Sequence, residues 1–434
     1  MKKSKLHPAA MLVQTMNRIY HRGMTTTSGG NLSILDEDGH IWITPSGIDK
    51  GTLTPEAICC IRPDGTIVDR PGFLGYKPSV EWPFHATVYQ RRPDLKAVLH
   101  AHPPMLVAFS VVRQIPDTNL VDSTARLLGS VNMAPYALPG SAELGDRVAG
   151  AFAAGYDLVM MENHGVVIGA ADMPTAFLKF EAMEYAAHTQ MLAKKLGTAK
   201  SLPADTCREA QAPEINNTLP ALASTVEAEA RRNLTAIIRR AYDQRLLCGA
   251  QGCFSARISE DAFLISPRDE DRANLDASDF ICVQNGQIIG NAENNRLPDW
   301  DWALHKAIYN TNPDVNAIAA AAPPHVMAFA ITHAALDSRT IPESYIMLRQ
   351  VQQVPFATLQ RDPLAVAEII SPKTPVLMIE NSQIIATGNS LLQAFDRLEV
   401  AEATARNILA ARALGALVPI SDTEIRDIDV AFGL

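Results

Sequence analysis

Near the start of each half of the chain, from Ala9 to Arg22 and from Arg232 to Arg245, apolar residues recur every three to four positions. That spacing predicts an amphipathic helix in each place. In the first half, short alternating runs follow, NLSIL, HIWITP and CCIRPDGTIV, which read as strands with a hairpin turn at Asp64-Gly65. Next come a helix from Ser79 to Arg91, an apolar strand over Ala97 to Ala101, and a helix starting at Pro103-Pro104. A strand DLVMMEN and a closing helix up to Leu196 complete the set. Strands and helices mixed with hairpins, without a regular βαβ rhythm, predict an α/β sandwich. Its central sheet is mainly antiparallel and flanked by helices.

The same order of elements occurs twice. Sliding the sequence by 220 lays Lys77–Ser110 over Leu297–Ala330, and twelve of these 34 positions are identical. They include Trp82 with Trp302, His85 with His305, Tyr89 with Tyr309, and Pro103-Pro104 with Pro323-Pro324. Ordinary composition gives roughly two matches by chance. A shift of 222 before this block and of 218 after it pairs ITPSG with ISPRD and MENHGVVIG with IENSQIIAT. The expected organisation is two copies of one domain, residues 1–203 and 223–434, joined by a linker over 204–222 within a polar, proline-bearing stretch.

Composition narrows what such a chain binds. With 434 residues, 47% of them apolar, it can bury sizeable cores. A net charge of −9 with no basic cluster argues against nucleic acid or an anionic membrane surface, leaving small molecules and copies of itself as partners. No apolar run reaches membrane-spanning length and the N-terminus lacks a signal-peptide pattern, so the expected location is the cytoplasm. The six cysteines, Cys59, Cys60, Cys207, Cys248, Cys253 and Cys282, form no CxxC pair and read as reduced, mostly buried thiols.

Chemistry concentrates in the first copy. His100 and His102 stand two residues apart at a strand end, which puts both imidazoles on one face. His164, in Glu162-Asn163-His164-Gly165, offers a third imidazole, and Glu81 a carboxylate. Three histidines with an open position and a nearby acid/base match a catalytic divalent-metal site. The second copy serves as an internal control. There the four become Ala320, Ala322, Ser382 and Asp301, while Trp82, His85 and Tyr89 keep their identities. A set lost together is one constellation with one job. His85, retained as His305, reads instead as a structural hydrogen-bonding residue, and Glu162 and Asn163, retained as Glu380 and Asn381, as structural too. Ser28-Gly29-Gly30-Asn31, Thr44-Pro45-Ser46-Gly47 and Ser79 supply the turns, hydroxyls and helix start that hold an anion. Asn31, Ser46, Gly47 and Ser79 become Cys253, Arg268, Asp269 and Asp299 in the second copy.

GGNLS, ITPSG, PSVEWPFH, HAH and ENHG, in this order and spacing, resemble the class II aldolase/adducin family over residues 1 to 200, and in degraded form from 223 to about 415. The resemblance implies a nine-stranded αβα sandwich. It implies one divalent ion per chain on His100, His102 and His164, zinc with manganese, cobalt or nickel as alternatives. It also implies Glu81 as metal-site carboxylate and acid/base, and a substrate anion on Asn31, Ser46, Gly47 and Ser79. The implied reaction is carbon–carbon cleavage of a sugar-like hydroxy-ketone or keto acid through an enediolate. Retro-aldol cleavage and decarboxylation stay open, and epimerisation ranks below them because that branch carries Asp where this chain has Glu81. Fuculose-phosphate aldolases have a second hydroxyl residue where this chain has Val80, which removes one phosphate donor. A non-catalytic, adducin-like scaffold is the alternative class. Family enzymes are tetramers with a tyrosine supplied by a neighbour, so the resemblance implies a homodimer of tandem chains acting as a pseudo-tetramer, with Tyr345 as that tyrosine.

Overall fold

His7 accepts a hydrogen bond from the Ala9 N–H, and Pro8, which has no N–H to satisfy, fills the first helical position. Helix α1 (Pro8–His21) therefore begins one residue before the expected start, and it buries Ala9, Leu12, Met16 and Ile19 on one stripe. Leu12, Met16 and Ile19, fully withdrawn from water, contribute about 1.5–3 kcal/mol each. The computed structural model of the chain describes residues 6–203, 213–216, 224–289 and 296–434. Packing separates two units. One holds the residues up to Thr118 and Thr124–His188, the other Thr189–Leu434 with Asn119–Ser123.

The first unit is built on strands β1 (Asn31–Leu35), β2 (Ile41–Ile43), β3 (Cys59–Ile61), β4 (Ala97–Ala101), β5 (Val131–Ala134), β6 (Leu158–Met161) and β7 (Val166–Ala170). Their order across the sheet is β3-β2-β1-β4-β7-β6-β5, antiparallel except for the β5/β6 pair. Among the described residues seven strands form here rather than nine. The hairpin at Asp64-Gly65 closes, with Gly65 N–H donating to Arg62 O at 2.9 Å, but its return arm pairs only through the Ile61/Ile67 bridge. Helices α2 (Trp82–Arg91), α3 (Pro104–Val111), α4 (Asp122–Leu128), α5 (Ala142–Ala153) and α6 (Met173–Ala193) accompany the sheet. Apolar clusters form around Leu12, Leu99 and Phe180, and around Ile43, Phe84 and Val159. Helix α2 starts at Trp82, not Ser79, and Glu81 occupies its N-cap position.

Among the described residues the second unit carries nine strands: β8 (Ile215–Asn216), β9 (Cys253–Arg257), β10 (Ala262–Ile265), β11 (Ile281–Gln284), β12 (Gln287–Ile289), β13 (Ala317–Ala321), β14 (Val351–Val354), β15 (Val376–Ile379) and β16 (Gln383–Gly388). They run β14-β15-β16-β13-β9-β10-β11-β12-β8. Here the hairpin is complete, β11 pairing with β12, and β8 adds a parallel edge. Residues 215 and 216, expected in the linker, thus form a short strand. The rest of 204–222, apart from 213 and 214, lies outside the described residues, as does Cys207. Helix α7 begins at Thr225, capped by Ser224, seven residues before the predicted start. Cys59, Cys60, Cys253 and Cys282 are free thiols, and burial pushes Cys60 up to about 11. Among the described residues no helix is long and apolar enough to cross a membrane.

Candidate active site

Strand β4 sits at the centre of its sheet, between β1 and β7, and delivers His100 with its side chain wholly buried. Its Nδ1–H donates to Val166 O at 3.0 Å, which fixes the tautomer and turns the Nε2 lone pair inward. His102 follows one residue past the strand, its Nε2 3.1 Å from His100 Nε2. His164 arrives from the turn between β6 and β7, where Asn163 adopts φ of 53°. Gly165 is needed beside it because a Cβ there would meet Ala101 O at 2.5 Å and His102 Cδ2 at 2.7 Å. One ring nitrogen from each histidine lies within 4.8 Å of the other two. Burial, then in His100 and His102 the neighbouring imidazoles, lowers all three below the usual histidine range, so each is neutral near pH 7, the state a metal ligand requires.

Glu81 completes the cluster. Its Oε2 is 3.4 Å from His100 Nε2 and its Oε1 3.8 Å from His164 Nε2. Oε1 is buried and has no hydrogen-bond partner. A buried carboxylate oxygen left without partners costs free energy unless a cation compensates it. The donor set itself fits a divalent ion: two nitrogens at roughly 2.0–2.1 Å from a tetrahedral zinc stand about 3.4 Å apart, close to the spacing of the His100 and His102 pair.

A hydrogen-bonded chain holds Glu81 from behind. His85 is completely buried and its imidazole is pushed down to about 3 by that burial, hence neutral. Its Nε2–H donates to Asn31 Oδ1 at 2.5 Å, so Nδ1 accepts from Ser33 Oγ at 2.7 Å, and Ser33 in turn accepts from the Tyr89 hydroxyl at 2.7 Å. Asn31 then donates from Nδ2 to Glu81 Oε2 at 2.7 Å. Asn31, expected to hold a substrate anion, thus also orients the glutamate. In the second unit Tyr309, Ser255 and His305 repeat the first three members with the same 2.7 Å spacings, but Cys253 stands in place of the asparagine.

The remaining expected residues sit on turns next to this centre. The Pro45/Pro78 bridge and the Ser46 N–H to Lys77 O bond of 2.9 Å join the turn carrying Ser46 and Gly47 to the segment before α2. Ser79 is buried and its Oγ accepts the Glu81 N–H at 3.3 Å, so it shapes the approach to Glu81 rather than opening the helix. Tyr345 belongs to the other unit, where its hydroxyl donates to Asp429 at 3.0 Å under the Arg349 guanidinium.

Two residues at the site escaped sequence reasoning. Lys50 is only 3% exposed and donates from Nζ to Pro45 O at 2.9 Å. Glu184 accepts the Met105 and Leu106 N–H groups at 3.0 Å each, capping helix α3 just beyond His102, and burial raises its carboxyl to about 7. The duplicate signals both, since Arg272 stands at the Lys50 position and Glu402 caps His325 and Val326 as Glu184 caps α3. A second acidic group, Asp36, Asp38 and His40, is a capped hairpin turn, with Asp36 accepting the Asp38 and His40 N–H groups.

With this geometry in place, comparison with known proteins gives the family directly. The model of the class II aldolase and adducin N-terminal domain matches residues 10–191 and again 232–409, so the chain belongs to that family as a tandem duplication. A 3-oxo-tetronate 4-phosphate decarboxylase of Haemophilus influenzae is 29% identical over 178 residues, 40% of this chain and 82% of its own. A 5-deoxy-D-ribulose 1-phosphate aldolase of Bacillus thuringiensis is 32% identical, covering 42% of this chain and 84% of its own. An L-fuculose phosphate aldolase of Methanococcus maripaludis is also 32% identical, with 41% and 93% covered. Among solved structures, an L-fuculose 1-phosphate aldolase shares 31% identity over 47% of this chain and 92% of its own, with a TM-score of 0.41.

Proposed function

We propose that the chain is a metal-dependent lyase that breaks a carbon–carbon bond in a small anionic hydroxy-ketone or keto acid by retro-aldol cleavage, with the first copy as the catalytic one. The observation that carries this reading is the convergence of three neutral imidazoles on Glu81, whose buried Oε1 has no partner. His100, His102 and His164 would hold the ion. A divalent cation bound there supplies Lewis acidity at the oxygens where negative charge collects as the bond breaks. Glu81 Oε1 takes the proton from the hydroxyl whose carbon becomes the new carbonyl, and the bonding electrons pass to the enediolate fragment. Glu81 then returns the proton to that fragment's carbon. Asn31, anchored by His85, keeps the carboxylate aimed through both transfers.

Decarboxylation is the second reading, favoured by relatives named 3-oxo-tetronate 4-phosphate decarboxylase that are about as similar as those named aldolases. In that reaction carbon dioxide leaves and Glu81 has only to deliver a proton. The test is incubation of metal-loaded protein with L-fuculose 1-phosphate, 5-deoxy-D-ribulose 1-phosphate and 3-oxo-tetronate 4-phosphate, scoring aldehyde and carbon dioxide separately. Aldehyde supports cleavage, carbon dioxide the second reading, and intact substrates throughout with the ion bound overturn both. The net charge of −9 supports a small-molecule partner rather than nucleic acid or a membrane surface, and we place the enzyme in the cytoplasm as a homodimer.

A further inference from the structure

Lys50 and Arg272 occupy equivalent places in the two copies, and the backbone confirms the register. Lys50 N–H donates to Thr27 O and Arg272 N–H to Gly249 O, both at 2.9 Å. Each side chain also donates to the same proline carbonyl, Lys50 to Pro45 O at 2.9 Å and Arg272 to Pro267 O at 2.7 Å. The facing residue is Ser79 in one copy and Asp299 in the other. Ser79 N–H donates to Thr44 O and Asp299 N–H to Ser266 O. Ser79 Oγ accepts the Glu81 N–H at 3.3 Å, and Asp299 Oδ1 accepts the Asp301 N–H at 3.3 Å. Ser79 Oγ thus corresponds to Asp299 Oδ1, and serine has no atom corresponding to Oδ2. That oxygen is the one that accepts from Arg272 Nη2, at 2.7 Å and with the guanidinium fully buried.

We propose that Lys50, beside Ser79, is the cation that receives the substrate's anionic group in the first copy, and that Asp299 fills the equivalent place in the second copy as a built-in carboxylate. The inference rests on the lyase reading only in calling the anion the substrate's. Four observations support it. Lys50 is buried, yet it makes a single hydrogen bond to a neutral carbonyl with an ammonium that has three donors. Burial pushes it down to about 8, as for a buried cation without a counter-charge, and it remains charged at neutral pH. Its neighbours Ser46 and Gly47 are the turn residues singled out for an anion. Finally, the second copy is closed over this place: Arg268, at the position of Ser46, packs 3.8 Å over Trp300, whose Nε1–H donates to Asp269 at 3.2 Å. In the first copy the residues at those three positions are Ser46, Val80 and Gly47, and Val80 is 66% exposed.

The experiment is calorimetric titration of the metal-loaded full chain with inorganic phosphate and, separately, acetate, with metal content measured on every sample. Lys50→Met should weaken anion binding on the order of 10- to 100-fold, the size of one charge-assisted hydrogen bond, and Lys50→Arg should restore most of it. Ser79→Asp, which copies the second domain, should abolish binding and raise the melting temperature, and this variant tests the idea even if Lys50→Met folds poorly. Binding of phosphate but not acetate assigns a phosphoryl group, and the reverse a carboxylate. Binding of neither, or unchanged affinity in folded Lys50→Met or in Ser79→Asp, overturns the proposal. So does an anion lost in His100→Ala but kept in Lys50→Met, which would place it on the metal ligands. No bond breaks in this titration, so its failure leaves the lyase reading standing, and absence of turnover leaves this one standing.

Discussion

A ligand set assembled from the end of one strand and a distant turn should stabilise only the copy that owns it. Stripping the protein with chelator and restoring zinc perturbs His100, His102 and His164, whereas the second copy offers Ala320, Ala322 and Ser382 at those positions. Binding to the native state alone adds about 2.7 kcal/mol at a free ion concentration 100 times Kd and about 4.1 kcal/mol at 1,000 times. For a unit of this size each kcal/mol moves the midpoint by about 2–4 °C, so the first copy should melt about 5–16 °C higher with metal. His100→Ala removes one of three nitrogens and the bond to Val166 O, and should erase the shift. Calorimetry reads the shift, hydrogen exchange locates it, and slowing is expected in β4 and β7. Elemental analysis should find close to one ion per chain. Equal protection in the second copy, two ions per chain, or an undiminished shift in His100→Ala would refute the assignment.

Other outcomes follow from single contacts. Glu81→Gln should lower turnover by about 10²- to 10⁴-fold while metal content holds, and wild-type turnover would remove the glutamate from the chemistry. Asn31→Ala, which deletes the donor to Glu81 Oε2, should cost about 10- to 100-fold in turnover, and an unchanged rate would show that the His85 chain does not aim the carboxylate. Glu184, raised from 4.5 to about 7 mainly by burial, contributes stability that is fully present below 4.5 and lost as pH rises through 7, because the folded state holds the proton more tightly. That is about 3 kcal/mol of pH-dependent stability, and urea midpoints of Glu184→Gln should lack this slope. Light scattering should report a mass near twice 47.1 kDa, and a monomer would refute the homodimer.

The parts of the fold written in local pattern were legible. Strand β4 spans the predicted Ala97–Ala101, and the double proline opens α3 because Pro104 supplies the missing-donor position of a first turn. The His-x-His spacing and the loss of four ligand positions from the second copy pointed to residues that the fold brings together. What stayed hidden depends on distant partners. The approach to Glu81 is made by a bridge between Pro45 and Pro78, residues far apart in sequence, and Lys50 looks like any surface lysine until that bridge buries it. The start of α2 was misplaced for a related reason. Ser79 has the residue type of an N-cap, but its backbone is held against Thr44, and its hydroxyl accepts from Glu81 instead.

The duplicate also shows what burial demands when a site is given up. Asp301, at the position of Glu81, accepts the Gln383 amide at 2.8 Å, and Gln383 stands where the first copy has Gly165. In the first copy a Cβ at 165 would strike Ala101 O and the His102 ring; the second copy has Ala322 in place of that ring, and the Gln383 amide answers the carboxylate. Asp299 is answered by Arg272 in the same way. Each acidic group at the old site of the second copy has thus acquired an internal partner, as the cost of burying a lone charge requires. The first copy has the opposite pattern at the same two places: a glutamate oxygen with no donor and a buried ammonium with one neutral acceptor. Opposite charges so placed and so poorly compensated are those of a site whose remaining partners are ligands, a cation beside Glu81 and an anion beside Lys50.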